Sequence, residues 1–221
     1  VLKLDRYYPY DFSIPIIDWD RRYAYDTVLE PIVTAVAPLG PDYQARMWRG
    51  FRERWIDVYE NDGKRSGAYS APVYGVHPYM LMNFNDTLDD VFTLAHEMGH
   101  AIHADRSKTQ PVLYRGHSVV TAETASTFFE SLVGYRLYQH APASLQMQFL
   151  DNMIGEKMDT MIMCIARFSA ELEIHNTIRK EGAMSWQSMA AVLAKHFRQF
   201  CGPAITISDD DGLSVVSKVH Y

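Results

Sequence analysis

The sequence predicts a mainly α-helical fold with a small antiparallel β-sheet inserted just before one central helix. Three observations carry this. Apolar residues recur three and four apart over most of the chain beyond residue 87, the period of a helix with one buried face. The stretch from Ala68 to Phe84 carries Tyr and Val but is broken by Pro72, Gly75 and Pro78, a pattern of short strands and turns. Thr87, followed three residues later by Asp90, forms a capping-box-like start for the helix between them and Arg106.

The elements follow in order. Residues 1 to 20 are rich in aromatics and proline (Tyr7, Tyr8, Pro9, Tyr10, Pro15) and read as an extended opening segment. A helix is expected from Tyr23 to Val36, with Pro31 as its weak point. Pro41 and Asp42 suit a second helix start, and Tyr43, Met47, Trp48, Phe51, Trp55 and Ile56 recur at helical spacing to about Val58. Asn61-Asp62-Gly63-Lys64-Arg65-Ser66-Gly67 is a turn-forming run leading to the strands. After the capped helix, a loop with Pro111 and Gly116 leads to a helix from Val119 to Gln139. A long helix from Ser144 to Glu181 ends at Gly182, and a last one from Ser185 is closed by Gly202 and Pro203. No internal repeat or linker divides the chain, so residues 1–221 read as a single domain.

Composition narrows the function classes. With 48% hydrophobic and 22% charged residues, the chain has the material for a packed core and is neither collagenous nor disordered. The formal charge of -6 carries no basic block, which argues against nucleic acid as a partner. No apolar run approaches the roughly 18 residues of a membrane span. Two cysteines, Cys164 and Cys201, are too few for a crosslinked secreted scaffold, so a reducing, cytoplasmic setting is expected. The first residue is Val and not Met, and the chain is expected to be a fragment of a longer polypeptide. Oligomeric state is not legible.

The chemistry concentrates in His96-Glu97-Met98-Gly99-His100, a match to H-E-x-x-H. Residues four apart on a helix stand about 6 Å from each other on one face, so both imidazoles can grip one ion. Gly99 costs roughly 1 kcal/mol of helix propensity relative to Ala, which points to close packing against a neighbouring element. A catalytic zinc needs a third protein ligand and an open position. A histidine six residues beyond the second ligand, after an intervening Gly, is excluded, because those positions are Arg106 and His103. The remaining common solution takes a Glu from a following helix. Glu123, within Thr121-Ala122-Glu123-Thr124-Ala125-Ser126-Thr127, has small neighbours that let two helices approach, and it is the choice. Glu130, seven residues on and on the same face, is a supporting partner of a ligand, the ligand itself, or an exposed or ion-paired carboxylate with no part in the site. His103 is either a cleft residue or a packed histidine, His117 a surface residue in the loop, and His77, in a His-Pro pair near the strands, a candidate substrate contact.

Taken together these residues resemble the thimet oligopeptidase and oligoendopeptidase F family of zinc peptidases, the oligoendopeptidase F branch most. The likeness is carried by Tyr10-Asp11 and Pro15, by Asp57-Val58-Tyr59-Glu60-Asn61 and Gly63 to Ser70, and by His77-Pro78-Tyr79. It continues through Leu88 to Ala95 before the motif, Glu123 to Phe128 after it, and Gly202-Pro203-Ala204 near the end. The resemblance implies a zincin-like helical catalytic domain, one Zn²⁺ held by His96, His100 and Glu123, and Glu97 as general base. It also implies that a strand at Gly67-Ala68-Tyr69 runs beside the substrate backbone, and that short peptides are cut at internal bonds. His220 matches a family histidine that helps donate hydrogen bonds to the developing oxyanion, and the family's tyrosine donors lie beyond Tyr221. The family's large N-terminal helical region has no counterpart before Val1. Competing expectations are a non-catalytic, zinc-stabilised peptide-binding module and a zinc carboxypeptidase on a related helical scaffold.

Overall fold

The computed structural model describes residues 5–9, 11 and 21–217. Its chain divides into two compact units, residues 20–149 and a second from Leu150 onward with the described N-terminal residues.

The first unit opens with α1 (Tyr25–Ala35), which buries Val28, Ile32 and Val33 and continues through Pro31 without a break. Gly40, at φ 104, and Pro41 set the start of α2 (Pro41–Arg52). The helical spacing of Trp55 and Ile56 had suggested that this helix runs on to Val58. It stops at Arg52 because Arg54 takes a left-handed backbone (φ 58) and Trp55 folds back, its N–H bonded to Gly50 O at 3.1 Å. The indole then fills the space over Gly50, where a β-carbon would stand 3.1 Å from the ring. Ile56 and Asp57 thus become a strand, β1 (Ile56–Asp57).

The remaining strands are β2 (Tyr69–Ala71) and β3 (Tyr79–Leu81), in sheet order β1-β3-β2. β2 and β3 pair antiparallel, with Ser70 opposite Met80, as the Pro/Gly punctuation led one to expect. β1 adds to the other side of β3 in parallel, Ile56 opposite Met80, so the sheet is mixed and not wholly antiparallel. Trp55 supplies the reason: its carbonyl takes the N–H of Met80 at 2.8 Å, fixing the strand that follows it alongside β3.

Next comes α3 (Leu88–Ser107), whose cap is the one the sequence predicted. Thr87 Oγ1 accepts from Asp90 N at 3.2 Å, and Thr87 N donates to Asp90 Oδ2 at 2.9 Å. Leu94, Ala95, Met98, Ala101 and Ile102 are buried along it. α4 (Val119–His140), capped by Ser118, packs along α3. At the crossing a β-carbon on Gly99 would lie 2.8 Å from Ser126 Cα and 3.0 Å from Ala125 O, so only glycine allows this approach. α2 is tied to α3 by Asp105, whose side chain is 2% exposed and pairs with Arg46, Arg49 (3.0 Å) and Lys108 (2.8 Å).

The second unit holds most of the remaining helices. α5 (Ala143–Met158), within which the two units divide, leads into a π-helical segment, Asp159–Met163, and then α6 (Cys164–Glu181). The single long helix expected from Ser144 to Glu181 is thereby interrupted. α7 (Trp186–Cys201) starts at Ser185, whose Oγ accepts from Ser188 N. Ala166, Ala170 and Ala194 let α6 and α7 close on Ile174, Leu193 and Phe197. Cys164 and Cys201 are free thiols. Among the described residues no helix is long and apolar enough to cross a membrane.

Candidate metal centre

α3 presents His96 and His100 one turn apart, and the close crossing at Gly99 brings Glu123 of α4 to them. Glu123 Oε2 lies 3.2 Å from His96 Nε2 and 3.6 Å from His100 Nε2, and one donor atom from each of the three residues falls within 4.8 Å of the others. Donors bonded at about 2.0–2.1 Å around a tetrahedral ion stand roughly 3.3 Å apart, and the Glu123 carboxylate stands from each imidazole at about that separation. Two imidazoles and one carboxylate are a donor set that suits such a metal.

A supporting layer holds these side chains. Glu130 Oε2 lies 3.2 Å from His96 Nδ1, which leaves Nε2 for the ligand position. Glu130 is therefore placed behind His96 and not among the three donors. Ser126, fully buried, donates from Oγ to Glu123 Oε2 at 2.9 Å and to Glu123 O at 3.0 Å, fixing the carboxylate toward α3. Ser126 thus does more than keep the two helices close, and its i+3 spacing from Glu123 is the sequence signal for that second role.

Glu97 points into the same cleft. Burial is the main cause that pushes its pKa up to about 7; His96 opposes the shift and Glu123 adds to it. Its Oε2 is buried and, among the described residues, has no hydrogen-bond partner. A buried carboxyl oxygen with its acceptor capacity unspent is poised to hold a water or a substrate proton. Burial also works against charge at His96, yet the Glu130 hydrogen bond and the neighbouring carboxylates leave that imidazole above its ordinary range. At His100 burial prevails and the pKa is lowered, which favours the neutral, ligating form.

The cleft has a volume of about 420 Å³, and Ala68, Tyr69 and Ser70 line it together with His96, Glu97, His100 and Glu123. Ala68 and Tyr69 thus share one cleft with the three donors. Gly67, exposed with φ 85, is set just outside, its carbonyl held by Asn83 Nδ2 at 2.7 Å. Ser70 Oγ is buried without a partner among the described residues. His117 is exposed, as expected, but also lines this cleft and faces His103 with ring centroids 4.3 Å apart. His77 lies elsewhere: it stacks flat on Trp55, ring centroids 5.0 Å apart, and borders a different cavity. His220 falls outside the described residues, as do Tyr10 and Pro15.

A mainly helical scaffold that crosses two helices to join an H-E-x-x-H pair with a downstream glutamate defines a protein of the metallopeptidase class. Residues 7–216 match Peptidase family M3, and the chain belongs to that family. It is 33% identical over its whole length to Oligopeptidase PepF of Bacillus subtilis, of which it covers 33%. It is 42% identical over 134 residues to Group B oligopeptidase PepB of Streptococcus agalactiae, covering 60% of this chain and 22% of that one. Among solved structures, a Chlamydophila abortus chain assigned as a peptidase aligns with a TM-score of 0.76 and 28% identity, over 98% of this chain and 37% of that one. The chain thus spans about a third of the length of the curated relatives that it matches end to end.

Proposed function

We propose that this chain carries the catalytic centre of a zinc-dependent endopeptidase that hydrolyses internal bonds of short peptides. The observation that carries the reading is the juxtaposition, in one cleft, of the His96–His100–Glu123 donor set with the unpartnered buried oxygen of Glu97. Kinship with oligopeptidases supports peptides as the substrate class.

His96, His100 and Glu123 would hold the ion, which when bound supplies Lewis acidity that sharpens water as a nucleophile and polarises a peptide carbonyl. The protein's own groups do the rest. Glu97, with a pKa near neutrality, takes a proton from the attacking water and returns it to the leaving amine. Ala68 and Tyr69 offer β2 as an edge along which an extended peptide can lie, so that the scissile bond faces Glu97. Glu130 keeps His96 in the tautomer that turns Nε2 inward. His220 is kept in this proposal as an oxyanion donor on the strength of family likeness alone. The setting proposed is a reducing compartment, in keeping with two free thiols.

The test is cleavage of internally quenched peptides blocked at both ends by the zinc-loaded protein, with products identified by mass spectrometry. Internal cleavage that disappears on chelation is expected. Cleavage confined to matched peptides with a free C-terminus, residue by residue from that end, would turn the assignment to a carboxypeptidase, and binding of both kinds without turnover would turn it to a peptide-binding module.

A further inference from the structure

The wall of the metal cleft also holds Ala104, Ala122 and His117, none of which the metal centre uses. Ala104 lies one helical turn past His100 on α3, and Ala122 directly precedes Glu123 on α4. Two methyl side chains take up little of the cleft next to the ligands, so a substrate side chain has room to enter there. Of the three, only His117 is polar, and its ring is fixed from several sides. His117 Nδ1 donates to the carbonyl of Arg115 at 3.3 Å. Arg115 is itself tied down: its Nε and Nη2 donate to the carbonyls of Gln110 and Lys108, both at 2.8 Å, and its guanidinium lies 5.0 Å from the centroid of the Tyr74 ring. One residue after His117, Ser118 caps α4, its Oγ accepting from Thr121 N at 3.2 Å. Beside the imidazole stands His103, ring centroids 4.3 Å apart and planes tilted by 35°. Burial, with His117 adding to it, lowers the His103 pKa and favours the neutral ring, so the two imidazoles pack without repulsion.

These bonds settle which nitrogen of His117 is left for a guest. A carbonyl oxygen only accepts, so Nδ1 carries the proton of the neutral imidazole and Nε2 keeps its lone pair. Among the described residues nothing donates to that lone pair. An apolar side chain seated over it strips away water and returns nothing, whereas a hydroxyl or carboxamide replaces the lost hydrogen bond. A carboxylate brings further lone pairs and is disfavoured. We infer that His117 is a specificity-determining residue, whose Nε2 accepts a hydrogen bond from a hydroxyl or carboxamide on the substrate side chain beside the cleaved bond. The inference rests on the peptidase reading, because it names a preference of the same cleft.

Asparagine, leucine and aspartate share one shape and differ in what they offer Nε2: a donor, nothing, or more lone pairs. Quenched peptides blocked at both ends carry each of them in turn immediately before or immediately after the cleaved bond. At one of these positions kcat/KM on the zinc-loaded protein should be about fivefold higher for Asn than for Leu, the span of one net hydrogen bond, and lowest for Asp. His117→Leu should bring Asn and Leu level, and His117→Gln, whose amide oxygen still accepts, should restore the preference. The ratio between peptides is the readout, since a fold merely loosened by the substitution lowers all of them alike. Equal values for Asn and Leu at both positions in wild type, or a ratio that His117→Leu leaves intact, would overturn the assignment. So would a preference for Asp, which needs a donor at Nε2. Should no peptide be cut at all, the peptidase reading falls and binding decides the pocket. Dye-labelled versions of the same peptides are then titrated onto zinc-loaded Glu97→Gln protein. A Kd about fivefold lower for Asn than for Leu sustains the His117 contact, and equal Kd values remove it.

Discussion

A β-carbon placed on Gly99 would stand 2.8 Å from the α-carbon of Ser126, closer than two packed helices tolerate. Gly99 lies between the two histidines of the motif, and Ser126 holds the carboxylate of Glu123. The missing side chain therefore sets the distance between α3 and α4, and with it the reach of Glu123 toward His96 and His100. Gly99→Ala should push the helices apart, costing about 1–3 kcal/mol of stability through overpacking. It should also weaken metal affinity more than a matched alanine elsewhere on α3. Thermal unfolding with and without zinc, and competition with a coloured chelator, measure the two effects.

Glu123→Ala should abolish stoichiometric zinc binding, because two imidazoles alone leave the tetrahedral set incomplete. Glu130→Gln should retain metal with affinity lowered by about 10–100-fold, as expected when the partner behind a ligating histidine is altered. Elemental analysis after dialysis distinguishes them. Full zinc content in Glu123→Ala would move the third ligand elsewhere.

Glu97→Gln should keep zinc and lose peptide cleavage. A second effect follows in the metal-free protein. The Glu97 pKa is raised from 4.5 to about 7 on folding, so the folded state holds its proton more tightly than the unfolded chain. That contribution is fully present below about pH 4.5 and is lost as the pH rises through about 7. Metal-free wild type should therefore lose stability across this window, and Glu97→Gln should lose less. Denaturant melts of both proteins from pH 5 to 8 check it.

Asp105 behaves in the opposite sense. Burial pushes its carboxyl up, but hydrogen bonds from Lys108 and Arg46 outweigh this and leave its pKa below the ordinary carboxylate range. Its stabilising contribution is present above the unfolded value, near 3.9, and disappears as the pH falls through the lower folded value. Asp105→Asn should cost about 2–3 kcal/mol near neutral pH, less than a fully enclosed pair because the cationic partners are partly exposed. The difference from wild type should shrink in acid. Urea unfolding at pH 7 and pH 3 reads both.

Much of the centre was legible because its determinants are local. The Thr87–Asp90 cap, the four-residue interval of His96 and His100, and the penalty of a mid-helix Gly99 each follow from a few neighbouring residues. Glu123 was legible as the carboxylate of a helix with small flanks. What was not legible depends on distant packing. Trp55 and Ile56 keep helical spacing after α2, and only the backbone of Arg54 and the space above Gly50 turn them into β1. The parallel pairing of β1 with β3 joins residues far apart in sequence and leaves no local trace. The same holds for the π-helical segment in the long helix, and for Ser126, whose hydroxyl gains meaning only once Glu123 is turned toward α3.

All three donors of the candidate metal centre come from two consecutive helices joined by one loop. Closing a connection of that length costs little chain entropy, so pairing of α3 with α4 is among the less costly long-range steps open to the unfolded chain. A cation captured by that pair would hold the two helices together, so that its binding energy would count as folding energy for this part of the chain.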